Sequence, residues 1–436
     1  MNPIKVGLLG IGTVGGGTWA VLERNREEIS RRAGRAIEIS VVADKDVEKA
    51  KRLVAGKARV TADAFEVVRD PAIDIVIELI GGYTIARELV LAAIENSKHV
   101  VTANKALLAT HGNEIFAAAQ KKDTMVAFEG AVAGGIPIIK ALREGLTANR
   151  IEWIAGIING TSNFILSEMR EKGLAFDAVL KEAQRLGYAE ADPTFDIEGV
   201  DAAHKLTIMA AIAFGVPMQF DKCYKEGIAR LTQGDIRYAE QLGYRIKLLG
   251  ITKRTPEGIE LRVHPTLIPA RRLIANVEGV MNAVLVKGDA VGATLYYGAG
   301  AGAEPTGSAV VADLVDVTRL HTADPDHRVP HLAFRADRMA DIRILAMEEV
   351  VTSYYLRLRV QDRPGVLADI TRILADGAIS IGAMIQREPA EGEDYVDIIM
   401  LTHQCREKNV NRAIGRIEGL PVVAGPVTRI RMEELQ

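Results

Sequence analysis

IKVGLLGIGTVG, residues 4–15, is the stretch of the sequence that decides the fold. Its apolar residues 4–9 predict a short buried strand, and the residues after the glycines predict a helix from Thr18 to Ser30. A strand, a GxGxxG turn and a helix in this order are the context in which the turn predicts a dinucleotide-binding site. The alternative is a glycine-rich turn in some other α/β protein. We therefore expect an α/β fold that contains a Rossmann-type parallel sheet.

The glycine turn supplies most of the predicted cofactor contacts. Gly10 permits the tight turn, Gly12 lets a pyrophosphate approach the backbone, and Gly15 allows the helix to pack closely on the strand. Thr13 and Val14 complete the turn, and the helix that follows offers free N–H groups to phosphates. We expect these five residues to bind the cofactor.

A second predicted strand, residues 37–44, carries the residue that distinguishes NAD from NADP. Asp44 lies near its end, where an acidic side chain would bind the ribose 2′-hydroxyl of NAD. Lys45 and Lys49 follow, and either could hold the 2′-phosphate of NADP. The sequence therefore predicts a nicotinamide cofactor and leaves the choice between NAD and NADP open.

Further apolar runs predict three more strands of this sheet, at 73–80, 98–102 and 124–128. Ligands in such sheets bind at the carboxyl ends of the strands. Lys105 comes just after the strand at 98–102, so we expect it near the nicotinamide or the substrate. The alternative is a solvated lysine in a loop.

The segment GYAEADPTFDIEGVDAAHK, residues 187–205, is unusually acidic. Its five carboxylates precede one amine, and these side chains are Glu190, Asp192, Asp196, Glu198, Asp201 and Lys205. A helix is predicted from about Gly199, and Asp201 and Lys205 would share one of its faces because they are four residues apart. The pair is either an exposed salt bridge or part of a cleft, where the carboxylate would bind an ammonium and the lysine would pass a proton to a carbonyl oxygen.

The C-terminal part of the chain has a different pattern. Its elements follow the order βαββαβ of a ferredoxin-like unit, with strands at 353–360, 379–386, 395–402 and about 421–431, helices at 366–377 and 406–419, and a turn at 388–394. The residues DRPGVL, 362–367, begin its first helix and resemble an ACT domain. We expect a regulatory module, and the alternative is a purely structural dimerisation module.

Composition restricts the classes of function. The 436 residues suggest two to four domains, and 54 Lys and Arg against 57 Asp and Glu predict no nucleic-acid partner. The sequence has no apolar stretch long enough for a membrane span, and its start lacks the pattern of a signal peptide. Its two cysteines are far apart. We therefore expect a cytoplasmic protein without disulfides. The segment HTADPDH, 321–327, is a surface loop or, as an alternative, a metal site.

One long pattern identifies a family. Residues 183–205, written A-x(3)-GYAEADP-x(2)-DI-x-G-x-D-x(3)-K, are similar to the signature of homoserine dehydrogenases. The resemblance extends to the glycine turn, to Asn104-Lys105, to EGAVAGGIP (129–137) and to NGTSNFIL (159–166). It implies reversible reduction of L-aspartate 4-semialdehyde to L-homoserine with NAD or NADP, in threonine, methionine and isoleucine biosynthesis. No aspartate-kinase segment precedes the turn, so we expect a monofunctional enzyme.

The resemblance also implies roles for individual residues. Lys205 would be the acid–base residue, and Lys105 would assist both substrate binding and proton transfer beside the nicotinamide. The implied ligands of the substrate's amino group are Glu190, Asp196 and Asp201, the implied further cofactor contacts are Gly187 and Gly302, the implied ligands of a sodium ion are Glu129, Val132, Gly134 and Ile136, and the implied effector contacts are Asp362 and Gly365.

The same resemblance implies a domain organisation and partners. A Rossmann domain would span 1–130 and be completed by about 303–330; a substrate-binding, catalytic and dimerisation domain would span 131–302; a linker at 331–350 would lead to an ACT regulatory domain at 351–436. Threonine is the expected effector, and a homodimer or homotetramer is the expected assembly. Two rival hypotheses are a reductase of another amino acid or semialdehyde, and a sensor without catalytic activity that binds a cofactor and an amino acid.

Overall fold

The structure, a computed structural model, describes residues 2–386 and 393–436. The chain divides into two compact units. The first contains residues 1–160, 201–223 and 280–342, and the second contains residues 161–200, 224–279 and 343–436. The predicted fold class is confirmed, because a parallel Rossmann-type sheet and a C-terminal βαββαβ arrangement are both present.

The strands of the described residues are β1 Ile4–Leu9, β2 Ile37–Ala43, β3 Arg59–Thr61, β4 Ile75–Glu78, β5 His99–Thr102, β6 Val126–Ala127, β7 Ile151–Ile157, β8 Tyr224–Lys225, β9 Tyr244–Thr255, β10 Gly258–Pro269, β11 Met281–Gly288, β12 Gly292–Ala299, β13 Val351–Gln361, β14 Ile381–Gln386, β15 Tyr395–Thr402, β16 Cys405–Arg406 and β17 Thr428–Met432. The predicted turn at 388–394 lies mostly outside the described residues.

The α-helices of the same residues are α1 Thr13–Arg24, α2 Arg26–Ala33, α3 Val47–Val54, α4 Ala64–Arg69, α5 Thr84–Glu95, α6 Lys105–Lys121, α7 Ile138–Lys140, α8 Gly160–Lys172, α9 Phe176–Arg185, α10 Thr194–Ile197, α11 Val200–Phe214, α12 Gln233–Gln241, α13 Ala303–Leu320, α14 Val366–Asp376 and α15 Glu407–Glu418. None of these helices is both long enough and apolar enough to cross a membrane.

The parallel sheet of the first unit has the strand order β3-β2-β1-β4-β5-β6. Strand β1 lies in its middle, pairing with β2 on one side and with β4 on the other. Its apolar side chains are almost entirely buried, as expected for a parallel strand that is covered on both faces. The order reverses beside β1, and this is the position at which α/β sheets of this kind bind a ligand.

Helix α1 begins at Thr13, five residues earlier than predicted, and ends at Arg24. The prediction was wrong there because the glycines after Val14 form helix instead of turn. Gly17 shows why: a Cβ atom at this position would overlap the carbonyl oxygen of Ala303 in α13. The two helices are thus in close contact, and apolar residues of α13, among them Val310 and Leu314, belong to the same core as β1.

The rest of the first unit includes an antiparallel group in which β11 pairs with β7 and with β12. Strand β7 ends at Ile157, where it pairs with Ala283. Helix α11 is buried over its whole length from Asp201 to Phe214. These two elements position the site described below.

The second unit combines the long hairpin β9–β10 with the C-terminal βαββαβ arrangement. Strand β17 connects them, because it pairs with β10 on one side and with β13 on the other. Strand β13 pairs in turn with β15, and β15 pairs with β14. The core of the C-terminal part is formed by alternate residues of β13, such as Leu356 and Leu358, packed against α14 and α15.

Candidate active site

Lys105 is held at the carboxyl end of the parallel sheet by the residue before it. Asn104 is the N-cap of α6: its side-chain oxygen accepts a hydrogen bond from the backbone N–H of Leu107 at 3.0 Å. The Asn104 side-chain nitrogen donates to the carbonyl oxygen of Gly82 at 2.5 Å. Lys105 is therefore the first residue of the helix, and 37% of its side chain is exposed.

Two polar residues that the sequence analysis did not identify fix Asn104. Glu78 and Thr102 pair across the ends of β4 and β5, and the Thr102 hydroxyl donates to the Glu78 carboxylate at 2.8 Å. The same hydroxyl accepts from the backbone N–H of Asn104 at 3.0 Å. Burial raises the pKa of Glu78. Glu78 and Thr102 are the polar last residues of two otherwise apolar strands, and this pattern could have identified them as residues of the site.

Asp201 and Lys205 lie on one face of α11 and are both buried. The Lys205 ammonium donates to the Asp201 Oδ2 atom at 2.7 Å and to the carbonyl oxygen of Ile158 at 2.8 Å. Only 4% of Asp201 and 8% of Lys205 are exposed. This i, i+4 pair is thus not a surface salt bridge but part of the interior, with one Lys205 N–H left for a further acceptor.

The Asp201 carboxylate also joins the two lysines. Its Oδ1 atom lies 3.5 Å from the Lys105 Nζ atom, and its Oδ2 atom accepts a hydrogen bond from the Asn159 side chain at 2.9 Å. Burial alone would raise the pKa of Asp201, but the charges of Lys205 and Lys105 and the hydrogen bonds lower it to about 2. The carboxylate therefore stays ionised. Two cationic side chains meet one anion here, an arrangement that can stabilise negative charge on a substrate oxygen.

The glycine turn offers room for a dinucleotide. Gly10 has a φ angle of +89°, which favours glycine, and Gly12 is the N-cap of α1 and provides no side-chain cap. The space beside Gly12 is open, so the free N–H groups of the helix can be approached. The Asp44 carboxylate accepts a hydrogen bond from the backbone N–H of Ile11 at 2.7 Å, so it lies beside the turn, and Lys45 is exposed. These residues fit a nicotinamide dinucleotide.

Glu129, predicted to bind sodium, is buried and already has several partners. Its carboxylate accepts hydrogen bonds from the backbone N–H groups of Ile139 and Lys140, both at 2.9 Å. Its own N–H donates to Asp313, and burial, with Glu129 next to it, raises the pKa of Asp313 to about 8. The carbonyl oxygen of Ile136 accepts from the N–H of Ile138 at 2.8 Å. In the described part of the chain no three His, Cys, Asp or Glu residues form a metal-binding group.

The remaining predicted ligands of the substrate lie in the second unit. Glu190 is exposed after α9, and Asp196 is half-buried in α10. The side chains at the start of α8 hold the backbone of this acidic segment: Thr161 donates to the carbonyl oxygen of Tyr188 at 2.6 Å, and Ser162 donates to that of Asp196 at 3.1 Å. Thr161 and Ser162 thus order the acidic segment.

Four further predicted residues are simply located by the structure. Gly187 follows α9 with a φ angle of +77°, and Gly302 is the N-cap of α13. Gly365 is the N-cap of α14, and Asp362 is exposed in the turn before it. Each of them lies at the end of a helix or in a turn.

A parallel dinucleotide-binding sheet with a cluster of two lysines and one carboxylate in the same unit defines a nicotinamide-dependent oxidoreductase. Family models agree and are more specific. "Homoserine dehydrogenase, NAD binding domain" matches residues 10–129, "Homoserine dehydrogenase" matches 137–315, and "ACT domain" matches 354–422. The chain belongs to the homoserine dehydrogenase family.

Relatives and solved structures support this assignment over the full length. The chain is 63% identical to the homoserine dehydrogenase of Pseudomonas aeruginosa over 435 residues, covering 100% of both chains. It is 72% identical to a homoserine dehydrogenase of Thiobacillus denitrificans of known structure, with a TM-score of 0.96 over 100% of this chain and 99% of the other. A hyperthermophilic archaeal homoserine dehydrogenase in complex with NADPH matches 73% of this chain and 98% of its own, at 25% identity and a TM-score of 0.62.

The protein is accordingly an NAD(P)-dependent oxidoreductase of amino-acid biosynthesis that interconverts L-aspartate 4-semialdehyde and L-homoserine, and it carries a C-terminal ACT domain. This assignment favours the enzyme over the rival hypothesis of a non-catalytic sensor.

Proposed function

We propose that Lys205 is the acid–base residue of the homoserine dehydrogenase reaction. The observation that carries this proposal is the fixed orientation of its ammonium group. Two of its three N–H groups are held by Ile158 and Asp201, so the third has a defined direction. A buried lysine that is held in this way is suited to act on one particular oxygen atom of a substrate.

A bound reduced nicotinamide would supply the hydride that reduces the aldehyde carbon. As the aldehyde oxygen gains negative charge, Lys205 stabilises that charge and gives it a proton, which produces the hydroxyl group of homoserine. In the reverse direction the neutral Lys205 amine accepts the hydroxyl proton. Asp201 keeps Lys205 in place in both directions, because its own pKa of about 2 means that it stays ionised.

Lys105 is assigned to substrate binding and to assistance in proton transfer. Support comes from its position at the carboxyl end of β5, its partial exposure and its contact with the same Asp201 carboxylate. Asp201 is also a proposed ligand of the substrate's amino group, because its Oδ1 atom lies 3.5 Å from Lys105 and is less tightly held than Oδ2. The same role for Glu190 and Asp196 rests on the resemblance to the family.

The proposed cofactor site uses either NAD or NADP. The open N-terminus of α1 and the position of Asp44 beside the turn support it. Its proposed contacts are Gly10, Gly12, Thr13, Val14, Gly15, Asp44, Lys45, Lys105, Gly187 and Gly302. A monovalent cation, sodium, is proposed at Glu129, Val132, Gly134 and Ile136 on the resemblance alone. Each carboxylate oxygen of Glu129 accepts one backbone N–H group and keeps a lone pair with which it could bind the cation.

Regulation and assembly extend the proposal. Threonine, acting through the ACT domain near Asp362 and Gly365, would provide feedback control, and the enzyme would work as a cytoplasmic homodimer or homotetramer. The family models, with bounds at 10–129, 137–315 and 354–422, support the division into a Rossmann domain at 1–130 completed by about 303–330, a catalytic domain at 131–302, a linker at 331–350 and a regulatory domain at 351–436.

The test is the absorbance of the reduced cofactor at 340 nm with L-homoserine and NAD or NADP. General acid–base groups contribute about 10²–10⁴-fold to rates, so we expect Lys205→Met to lower kcat by at least about 10²-fold. Lys121→Met is the matched control, because Lys121 is exposed in the last turn of α6. Near-normal turnover of Lys205→Met, with the circular dichroism of the parent, would disprove the role of Lys205.

A further inference from the structure

Asn159 makes a buried polar contact to Asp201, the carboxylate that holds the proposed acid–base residue Lys205, and the reaction as described does not use this contact. The residue follows β7 and is 5% exposed. Its side-chain nitrogen donates to the Asp201 Oδ2 atom at 2.9 Å, the same oxygen that accepts from Lys205 at 2.7 Å. One carboxylate oxygen thus receives two donors, while Oδ1 faces Lys105.

The backbone that carries Asn159 is fixed by the sheet. Ile157 pairs with Ala283 in β11, and a Cβ atom added to Gly160 would lie 2.7 Å from the carbonyl oxygen of Val280. The chain therefore approaches its neighbour closely on both sides of Asn159. Real Cβ atoms do not come so near to a backbone oxygen, so only glycine at position 160 allows this close approach, which places Asn159 beside Asp201.

Two consecutive residues thereby hold the Lys205 ammonium. Ile158 binds it directly through a carbonyl oxygen, and Asn159 binds it indirectly through Asp201. The terminal torsion of an aspartate side chain is broad and has no sharp rotamer preference. Without a second donor on Oδ2, the carboxylate can rotate, and the direction of the third Lys205 N–H is then no longer fixed.

We propose that Asn159 is a positioning residue, which orients Lys205 by locking the rotation of the Asp201 carboxylate. Asn159 acts through Asp201. The proposal rests on the acid–base role of Lys205 described above. A misplacement of about 1 Å at a reacting group can cost about 10²-fold in rate. We therefore expect Asn159→Ala to lower kcat by about 10–100-fold, with a much smaller change in the KM for homoserine.

Two further variants separate the hydrogen bond from simple packing. Asn159→Leu keeps the branched arrangement of four side-chain heavy atoms and fills the space without a donor, whereas Asn159→Ser keeps a donor and loses volume. If the donor matters, kcat of Asn159→Ser lies between the parent and Asn159→Ala, and Asn159→Leu is as slow as Asn159→Ala. If filling the space matters instead, Asn159→Leu has a higher kcat than Asn159→Ser, and that order overturns the proposal.

The matched control is Asn163→Ala, which removes another buried amide that donates to the carbonyl oxygens of Val277 and Gly279 at 3.1 and 3.0 Å. It should lower the urea midpoint without the loss of kcat. Each variant is assayed as the full chain at saturating cofactor, and its unfolding is followed in parallel. If Asn159→Ala does not fold, the comparison of Asn159→Ser with Asn159→Leu decides.

Failure of this inference and failure of the proposed function give different results. Full activity of Asn159→Ala while Lys205→Met is inactive would overturn only the positioning role. Activity of Lys205→Met would overturn the proposed function and, with it, the inference that rests on it.

Discussion

The second unit contains a buried ionic cluster whose disruption has a calculable effect. Arg431 in β17 is fully buried and donates to Glu407 at 2.8 Å and to Glu226 at 2.8 Å. It also donates to the Tyr224 hydroxyl at 3.0 Å. Glu407, in α15, is only 2% exposed, so its charge is compensated by protein groups, chiefly Arg431.

Arg431→Ala should therefore be severely destabilising. Removing one partner of a buried ion pair costs about 3–5 kcal/mol, because the other charge stays buried with less compensation. Glu407 would lose its fully buried partner and be left with Arg429, whose side chain is 20% exposed, at 3.0 Å. The matched control is Arg416→Ala in α15. Arg416 pairs with Asp376 at 3.0 Å, but both side chains are about half exposed, and exposed pairs contribute about 0–1 kcal/mol.

The assay uses the distribution of tryptophan in the chain. Both tryptophans, Trp19 and Trp153, lie in the first unit, so their fluorescence reports its unfolding, while far-UV circular dichroism reports both units. For Arg431→Ala we expect ellipticity to be lost at lower urea than fluorescence changes. With urea m-values of about 1–3 kcal/mol/M, a loss of about 3–5 kcal/mol lowers the midpoint by at least about 1 M.

Removal of the second charge gives the complementary test. Arg431→Met combined with Glu407→Gln should recover much of the lost stability, because no uncompensated charge remains in the interior. If Arg431→Ala and Arg416→Ala shift the midpoint equally, the cluster does not stabilise the second unit and the reasoning is refuted.

Two further predictions concern the first unit. A side chain at position 17 would overlap the carbonyl oxygen of Ala303, so Gly17→Val should lower the free energy of unfolding by about 1–3 kcal/mol or more. The measurement is tryptophan fluorescence in urea, and an unchanged midpoint would contradict the close contact of α1 with α13. Burial lowers the pKa of both His99 and His331 to about 4, and each ring accepts a hydrogen bond from a backbone N–H group. Between pH 6.5 and 4 the unfolded chain therefore binds more protons than the folded chain. The first unit should lose stability as the pH falls through this window. His99→Gln should flatten this pH dependence, and an equal slope in the variant would show that His99 is not its source.

The fold was predictable where one stretch of sequence contains its own signal. The run at residues 4–9 is apolar enough to identify β1, and the βαββαβ order at the C-terminus could be read from alternating strands and helices. The start of α1 was missed because its glycines are required by the contact with α13, about 290 residues away in the sequence, and local rules assign glycine to turns.

Strand β10 shows why other elements could not be predicted. It is buried along its whole length although it contains Glu260 and Arg262. Arg262 is compensated by Glu260 and by Glu433, whose carboxylate lies 171 positions later in the chain. A charged side chain normally indicates a surface, and only the folded chain supplies the partner that makes its burial tolerable.

The candidate site divides in the same way. The spacing of Asp201 and Lys205 is local, so the sequence could pair them, but nothing in that spacing says whether the pair is exposed. The structure of α11 decides this: the helix is apolar and buried from Asp201 to Phe214, so the pair lies in the interior. Burial of Lys205 and Asp201 is tolerated because each neutralises the other, and because Ile158 and Asn159 supply further hydrogen bonds to the pair. The segment that reads as one acidic run therefore contains carboxylates of two kinds: Glu190 is solvated, whereas Asp201 is held ionised in the interior, where its charge has the strongest effect on a lysine.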